Sequence, residues 1–370
     1  MIYFDNAATT RINEKALKAL SECSKDFFGN PSTHYTIGVK TKRLMEESRL
    51  KIANAIGASP ENIVFTSGGT ESNNIVLQSL IGKANSESEI IVSEIEHSSI
   101  LNVVKKYKNL KIRYIKPNKN GVIKANEVLD AVNENTYLIV VQMINNELGT
   151  IQPIEEISNG INGKGIFFHV DAVQAIGHVE INVKGLGMTT LSASAHKFNG
   201  PKGIGFLYST IKDIRLSYGG AQERGIRPGT ENVPAIAAMA IALEESLKDL
   251  KNKQAHIMNM VSFLNSRLLS NPLIRLNVEN KGYHSIINFR VKNVSNEALI
   301  NLLDLKGVCV SAGSACDGKN FEKSHVLSAI GLNDKLINES VRLSLSYENT
   351  IEECEFFINT LMDCINKLAL

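Results

Sequence analysis

The sequence has few of the features that mark disulfide-rich or metal-binding proteins. It contains five cysteines and no tryptophan, and the cysteines form no CxxC pair and no regular framework. An odd number of irregularly spaced cysteines argues against a disulfide scaffold and is typical of proteins in a reducing compartment. The histidines and cysteines show no metal-ligand spacing either. We therefore expect a cytoplasmic protein without a metal site.

Strong charge and long apolar runs are also lacking. The formal net charge is +2, so charge gives no reason to expect a nucleic-acid partner. The longest apolar run, near residues 137–144, is too short to cross a bilayer. The start, MIYFDNAATT, lacks the basic and apolar regions of a signal peptide. We therefore expect neither secretion nor membrane association.

Length and composition allow a large core. The chain has 370 residues, 43% of them hydrophobic, which suits two domains or one large α/β domain with an appendage. Strand-like apolar segments alternate with helix-like segments along most of the chain, as in α/β proteins. Residues 233–270 are predicted to be helix-rich, and residues 285–310 to form strand, helix and strand. This repetition at smaller scale indicates a second domain.

Two stretches organise the chain. IFFHVDAVQ, residues 166–174, predicts a buried strand ending at Asp171, and LSASAHKFNGPKGIG, residues 191–205, a strand running into His196 and Lys197. In α/β proteins such strand ends border the ligand crevice. A carboxylate and a lysine there suit pyridoxal phosphate (PLP), because lysine binds the aldehyde and an acid pairs with the pyridinium nitrogen. Two surface residues explain the pattern equally well, so it leaves the cofactor open.

Other strand ends also carry polar residues. NIVFTSGGTESNNIVL, residues 62–77, predicts a strand, a glycine turn and a helix, and such a turn lets backbone N–H groups bind a phosphate. This pattern occurs in most α/β folds and is not specific. His97 and Asn146 follow two further predicted strands, where a surface histidine and a turn are equally good explanations.

The C-terminal part contains a candidate nucleophile and a candidate anion-binding residue. Cys316 lies among small and polar residues in SAGSACDGKNFEKSH, residues 311–325, where a thiol is expected to be exposed and reactive, although an incidental loop cysteine fits as well. Arg342 lies in a strand-like stretch and is expected to pair with a carboxylate, either internal or from a substrate. Residues 219–233 form a glycine-rich loop of a length that is often functional.

Ten blocks together resemble one family. They occur in the family's order over nearly the whole chain: YFDNAATT, FGNPSTH, FTSGGTESNN, EHSSIL, NNELGTIQP, HVDAVQAIG, SASAHKFNGPKGIG, QERGIRPGTENV, SAGSAC and SVRLSLS. On these blocks the sequence is identified as a member of the NifS/IscS-like cysteine desulfurases. These are PLP-dependent enzymes of the aminotransferase superfamily with fold type I. The length of the loop after Cys316 resembles the long-loop branch.

The resemblance implies an α/β fold of two domains. The large PLP-binding domain would cover residues 15–255 around a mostly parallel sheet of seven strands. The smaller C-terminal α/β domain would cover residues 256–370, joined by residues 1–14. The family also implies a homodimer.

The resemblance assigns a role to each matching residue. Lys197 would form the Schiff base, Asp171 would pair with the pyridinium nitrogen, and Cys316 would be the nucleophile. Arg342 would bind the substrate carboxylate. The remaining cofactor contacts would be His97 stacked on the ring with Asn146 beside it, Gln174 at the ring oxygen, Gly69, Thr70, Ser194 and His196 at the phosphate, and Thr230 at the phosphate in the partner subunit.

The implied reaction converts L-cysteine to L-alanine and leaves sulfur as a persulfide on Cys316. Lys197 would move the proton from Cα, and His97 would act as the acid and base for the thiol protons. The acceptor would be an iron–sulfur scaffold or another sulfur-acceptor protein, for cluster or thiolated-tRNA biosynthesis. The chain departs from the family at Lys323, where relatives have proline, and at SLSYEN after Arg342.

Two alternatives stay open on sequence grounds. A selenocysteine lyase, another PLP β-lyase or an aminotransferase would share the cofactor residues, but an aminotransferase has no need of Cys316 in its loop. A sulfur-relay or scaffold component would not need the complete set of Lys197, Asp171, His97 and Cys316. The sequence does not identify the sulfur acceptor.

Overall fold

The computed structural model describes residues 1–279, 285–313 and 323–368. The helices are α1 Glu14–Asp26, α2 Thr36–Ala55, α3 Gly69–Ile81, α4 Ser98–Val104, α5 Ala125–Ala131, α6 Ile154–Ile161, α7 Val233–Leu247, α8 Leu250–Leu269, α9 Asn296–Leu305, α10 His325–Ala329, α11 Asp334–Asn338 and α12 Ile351–Leu368. The strands are β1 Ile2–Tyr3, β2 Ile63–Thr66, β3 Glu89–Ser93, β4 Lys111–Ile115, β5 Thr136–Gln142, β6 Phe167–Asp171, β7 Thr190–Ser194, β8 Gly205–Ser209, β9 Ile274–Leu276, β10 Ile286–Val291, β11 Val308–Cys309 and β12 Ser340–Ser344.

Seven strands form the central sheet in the order β2-β8-β7-β6-β5-β3-β4. Strand β8 is antiparallel to both of its neighbours, and the other neighbouring pairs are parallel. The predicted mostly parallel α/β fold is therefore confirmed. Because consecutive parallel strands are linked through helices, their carboxyl ends meet at one edge.

Both faces of this sheet are buried. Ile90 and Val140 pack into a cluster with α3 and α4. Their sequence neighbours Ile91 and Ile139 point the opposite way, into a cluster with α1, α2, α6 and α7. This alternation follows from the two-residue period of a strand, and it explains why the sheet strands are continuous apolar runs.

A second core joins the two ends of the chain. Phe4 is fully buried with side chains of α8, α9 and α12, and its ring meets that of Phe357 edge-on at 5.7 Å between centroids. Above this core lie the antiparallel sheet β12-β10-β9 and the parallel pair β1-β11. Helix α8 runs without interruption through residue 255, and the domain limits 1–14, 15–255 and 256–370 stay a prediction.

Local sequence explains most helix ends. The Asn13 side chain accepts hydrogen bonds from the backbone N–H groups of Lys15 and Ala16 at the start of α1. Helix α2 begins at Thr36, although the turn-forming residues predict a loop through Gly38. Gly38 lies in the first turn of α2. Its backbone passes so close to Thr33 that a Cβ would lie 2.0 Å from the Thr33 hydroxyl, so the packing there requires glycine.

None of the helices in the described ranges combines the length and the apolar composition needed to cross a membrane.

Candidate active site

A cavity lies where the parallel strands β5, β6 and β7 end. The residues that line it are Ala7, Ala8, Gly69, Thr70, Asn73, His97, Ser99, Gln142, Asn146, Asp171, Val173, Gln174, Ser194, His196, Lys197 and Arg342. They include every predicted site residue of the described ranges except Thr230, which lies on an exposed loop. Cys316 lies outside the described residues. The fold thus brings together side chains that are far apart in the sequence.

One end of the cavity is shaped for an anion. Gly68 caps α3 with φ +150°, a conformation that glycine adopts readily. A Cβ on Gly69 would lie 2.4 Å from the Val173 side chain, so the helix start needs glycine to pack there. The helix N-terminus and the hydroxyl groups of Thr70 and Ser194 meet at this end. Such a cradle fits a phosphate group.

Asp171 supplies a fixed carboxylate. Its side chain is 2% exposed at the end of β6. One carboxylate oxygen accepts from the backbone N–H of Val173 at 3.0 Å, and the other from the Asn73 amide at 2.9 Å. Both carboxylate oxygens thus accept a hydrogen bond, which fixes the side chain where it could pair with a pyridinium nitrogen.

Lys197 is held by the N-terminal segment. It lies in a short 3₁₀ turn, Ala195–Lys197, directly after β7. Its amine donates to the carbonyl oxygens of Ala7 at 2.5 Å and Ala8 at 2.9 Å. The Gln174 amide also donates to the Ala7 oxygen, at 2.8 Å. The amine is therefore fixed at the cavity wall.

Two imidazoles line the cavity. His97 precedes α4, and its Nδ1 accepts from the backbone N–H of Ser99 at 3.1 Å. The Nδ1 of His196 lies 3.2 Å from the Thr9 hydroxyl. Burial, together with the charges of Lys197 and Lys202, lowers the pKa of His196 to about 4, so this ring is neutral at physiological pH.

Arg342 has an internal carboxylate partner. Its side chain is 1% exposed on β12, with one terminal nitrogen 2.7 Å from Asp5 Oδ1 and the other 2.9 Å from the carbonyl oxygen of Asn146. Sequence reasoning left open whether the partner is internal, and the structure identifies Asp5. Among the described residues, Nε has no hydrogen-bond partner. The guanidinium therefore keeps a buried donor for a further acceptor.

The residues after Arg342 have a structural use, both Ser344, which the family shares, and Ser346 and Asn349, which belong to the part that departs from the family. The Ser344 hydroxyl accepts from the backbone N–H of Ala7 at 2.9 Å. The Asn349 side chain bonds both to the Ser346 backbone, at 2.8 Å, and to the Tyr3 carbonyl oxygen, at 3.3 Å. These contacts fix the N-terminal segment that carries Asp5.

Sequence reasoning missed polar residues in the cavity wall and directly behind it. Asn73, Ser99 and His169 are buried and bond to one another or to residues that line the cavity. The signal for His169 was its position two residues before Asp171, which places both on the same face of β6. Asn73 carried no comparable signal, because a polar residue in the first turns of a helix is ordinary.

Comparison with known proteins identifies the family. The family model "Aminotransferase class-V" matches residues 2–357. "Cysteine desulfurase IscS" of Methanosarcina thermophila is 38% identical over 99% of this chain and 92% of its own length. "Putative cysteine desulfurase IscS 1" of Bacillus subtilis is 37% identical over 100% of this chain and 99% of its own length.

Solved structures agree. A "NifS-like protein" has a TM-score of 0.92 at 33% identity, with 99% of this chain and 100% of that chain covered. "SspA in complex with cysteine" has a TM-score of 0.83 at 31% identity, with 95% and 100% covered. The resemblance drawn from the ten sequence blocks is confirmed. The chain belongs to the class-V aminotransferases, a family of PLP-dependent enzymes, and within it to the cysteine desulfurases of the IscS type.

Proposed function

We propose that this protein converts L-cysteine to L-alanine with PLP and passes the sulfur, as a persulfide on Cys316, to an iron–sulfur scaffold or another sulfur-acceptor protein. The observation that carries the proposal is the meeting of Lys197, Asp171 and the α3 anion cradle in one cavity that Arg342 also lines. Cys316 enters on its sequence block, SAGSAC. The PLP-dependent family and the relatives' name, cysteine desulfurase, support the reaction type.

The chemistry of the cavity fits PLP. Gly69, Thr70, Ser194 and His196 would hold the phosphate, with neutral His196 acting as a hydrogen-bonding group. His97 would stack on the ring. Asn146 and Gln174 would lie at the ring edge. When bound, PLP supplies the electron sink that weakens the Cα–H bond of the amino acid.

The charged residues divide the remaining work. Asp171 would hold the positive charge at the ring nitrogen, which keeps the electron sink effective. Lys197 would bind the aldehyde and, once displaced by substrate, move the Cα proton as a general base and acid. His97 would act as the acid and base for the thiol protons. Cys316, as a thiolate, would accept the sulfur atom of the substrate.

Arg342 would orient the substrate. Its contacts to Asp5 and to the Asn146 carbonyl oxygen hold the guanidinium plane, and Nε is left as a buried donor. A carboxylate is the acceptor that best matches such a group. The amino acid would therefore be held by its carboxylate with Cα towards Lys197.

We also propose a cytoplasmic homodimer with shared sites. Thr230 lies on an exposed loop and is not among the residues that line the cavity of its own chain. Its family role at the partner's cofactor phosphate accounts for that position. The exposed aromatic side chains of Phe28 and Tyr218, 76% and 88% accessible, offer apolar surface for such contacts.

The test of the reaction uses purified protein with PLP, L-cysteine and a thiol reductant. Wild type should form alanine and sulfide in equal amounts. Cys316→Ala should form neither while keeping the visible absorbance of bound PLP, and the matched control Cys309→Ala should be active. If Cys316→Ala is as active as wild type, Cys316 is an ordinary loop cysteine and the protein is a different PLP lyase.

A further inference from the structure

We propose that Asn73 and Ser99 are positioning residues that hold His97 in the tautomer with its proton on Nε2, with ionised Asp171 as the fixed end of one chain of hydrogen bonds. The proposal deepens the proposed function and rests on its placement of Asp171 and His97 at the cofactor. The members of the chain are all buried: Asn73 at 1%, Ser99 at 9%, His169 and Thr190 at 0% and Asp171 at 2% exposure.

The donor-to-acceptor order along this chain of hydrogen bonds is set at Asp171. An ionised carboxylate only accepts, so the group of Asn73 that lies 2.9 Å from Asp171 Oδ2 must be the amide nitrogen. The same nitrogen lies 2.9 Å from the Ser99 hydroxyl oxygen. Its two hydrogens are therefore both used, one on Asp171 and one on Ser99.

His169 fixes the amide from the other side. With its nitrogen turned to Asp171, Asn73 presents its oxygen to His169 Nε2 at 3.0 Å, so that nitrogen carries the proton. His169 Nδ1 is then an acceptor for the Thr190 hydroxyl at 2.8 Å. Complete burial lowers the pKa of His169 to about 3, so the ring stays neutral. An inverted amide would instead face its oxygen to the Asp171 carboxylate, with no hydrogen between the two oxygens.

The last step reaches His97. The Ser99 oxygen, which accepts from Asn73, lies 2.8 Å from His97 Nδ1, and its hydrogen remains available for that nitrogen. The Ser99 backbone N–H donates to the same Nδ1 at 3.1 Å. A backbone N–H can only donate, so Nδ1 is the acceptor and a ring with one proton carries it on Nε2; the Ser99 hydroxyl then donates to Nδ1 as well. His97 is thereby held in one tautomer in the cavity that it lines.

Nuclear magnetic resonance tests the tautomer without turnover. In protein labelled with ¹⁵N-histidine, with and without PLP, the His97 signals are identified by their loss in His97→Gln. Wild type should show one protonated and one unprotonated ring nitrogen. In Ser99→Ala and Asn73→Ala the backbone N–H of residue 99 still donates to Nδ1, so the two signals should move only part of the way towards each other, whereas Ser99→Thr should keep the wild-type pattern. Ser98→Ala, which removes the neighbouring hydroxyl outside the chain, should leave the signals in place.

Kinetics of the holoenzyme test the coupling. Ser99→Ala and Asn73→Ala should each lower kcat at least about tenfold, since general acid–base catalysis contributes more than that. The kcat of the double variant should be within about twofold of the kcat of the less active single variant, because both substitutions interrupt the same chain of hydrogen bonds. Thermal melting confirms that each variant folds.

Two results would overturn the proposal: unchanged His97 signals in folded Ser99→Ala and Asn73→Ala, or kinetic effects that multiply in the double variant. Neither result touches the proposed function, which stands or falls on alanine formation by wild type. Conversely, a wild type that forms no alanine would remove the proposed function while the tautomer measurement stays valid.

Discussion

Arg342 has a structural role as a single buried residue, and the proposed function adds a binding role to it. The guanidinium is planar and always charged, and here two of its nitrogens are held by Asp5 and by the backbone at Asn146. Burying it without its acid would be costly, so Asp5 keeps the charge tolerable before substrate arrives. In the proposed function, the remaining donors would bind the substrate carboxylate.

A change at this position should therefore affect substrate binding most. Arg342→Lys keeps the charge but loses the planar fork of donors, and we expect KM for L-cysteine to rise about tenfold or more, with kcat changed less. Steady-state alanine formation measures both. Arg290→Lys on the neighbouring strand β10, whose arginine bonds to Asn277, is the matched control and should leave KM within about twofold. An unchanged KM in Arg342→Lys would contradict the assignment.

Individual residues also show what the sequence could and could not predict. Asp171 and Lys197 were found because each ends a recognisable strand, where α/β folds collect ligands. Asp5 was not found, because its partner lies 337 positions away and nothing local marks the pair. Asn73 was not found, because its importance comes from facing β6 and α4 at once.

Among the elements, the loop after β8 is anchored by a buried ion pair. Glu223 and Arg224 have positive φ angles of 47° and 58° in the turn Gln222–Gly225. The Glu223 carboxylate accepts hydrogen bonds from both terminal nitrogens of Arg49, at 2.8 and 2.7 Å, and from the backbone N–H of Phe65, at 2.8 Å. This anchor fixes the start of the segment that ends in Thr230.

Removing the acid should be costly for stability. Glu223→Gln leaves Arg49 buried without its main counter-charge, and we expect the free energy of unfolding to fall by about 3 kcal/mol. Denaturant unfolding of the protein measures it. Glu244→Gln breaks the exposed Lys51–Glu244 pair and should change the value by less than about 0.5 kcal/mol. Equal effects of the two substitutions would show that the buried pair is not an anchor.

Prediction at the element scale succeeded where the signal is local. The strand, glycine turn and helix at 62–77 are β2 and α3, and the apolar run near 137–144 is β5. The pairing of β1 with β11 was beyond local reasoning, because two-residue strands have no period and their register joins the two ends of the chain.

For the whole molecule, buried histidines link stability to pH. Burial lowers the pKa of His169 to about 3 and that of His196 to about 4, and it also lowers the pKa of His178. These histidines take up protons near pH 6.5 in the unfolded chain but not in the folded chain. Their contribution to the free energy of unfolding is therefore complete above pH 6.5 and is lost as the pH falls. Burial raises the pKa of Glu96 well above its usual range, which acts in the opposite sense.

His169 can be isolated from the other groups by substitution. Between pH 6.5 and pH 5, wild type should lose about 1.6 kcal/mol more stability than His169→Gln, because one proton is worth about 1.4 kcal/mol per pH unit and the unfolded histidine is half protonated at pH 6.5. Gln keeps a donor for Asn73 and does not titrate. Denaturant unfolding at a series of pH values gives both slopes, and Glu96 contributes equally to each. Parallel slopes would contradict a neutral buried His169.

Mass spectrometry of the protein shows whether Cys316 receives the sulfur of L-cysteine, as we propose. The holoenzyme is treated with limiting L-cysteine without reductant, and the masses of its cysteine-containing peptides are measured. We expect one added sulfur atom on the Cys316 peptide of wild type and of Cys309→Ala, together with free alanine, and neither product in Cys316→Ala. Alanine formed without added sulfur on Cys316, or with the sulfur on another cysteine, would contradict it.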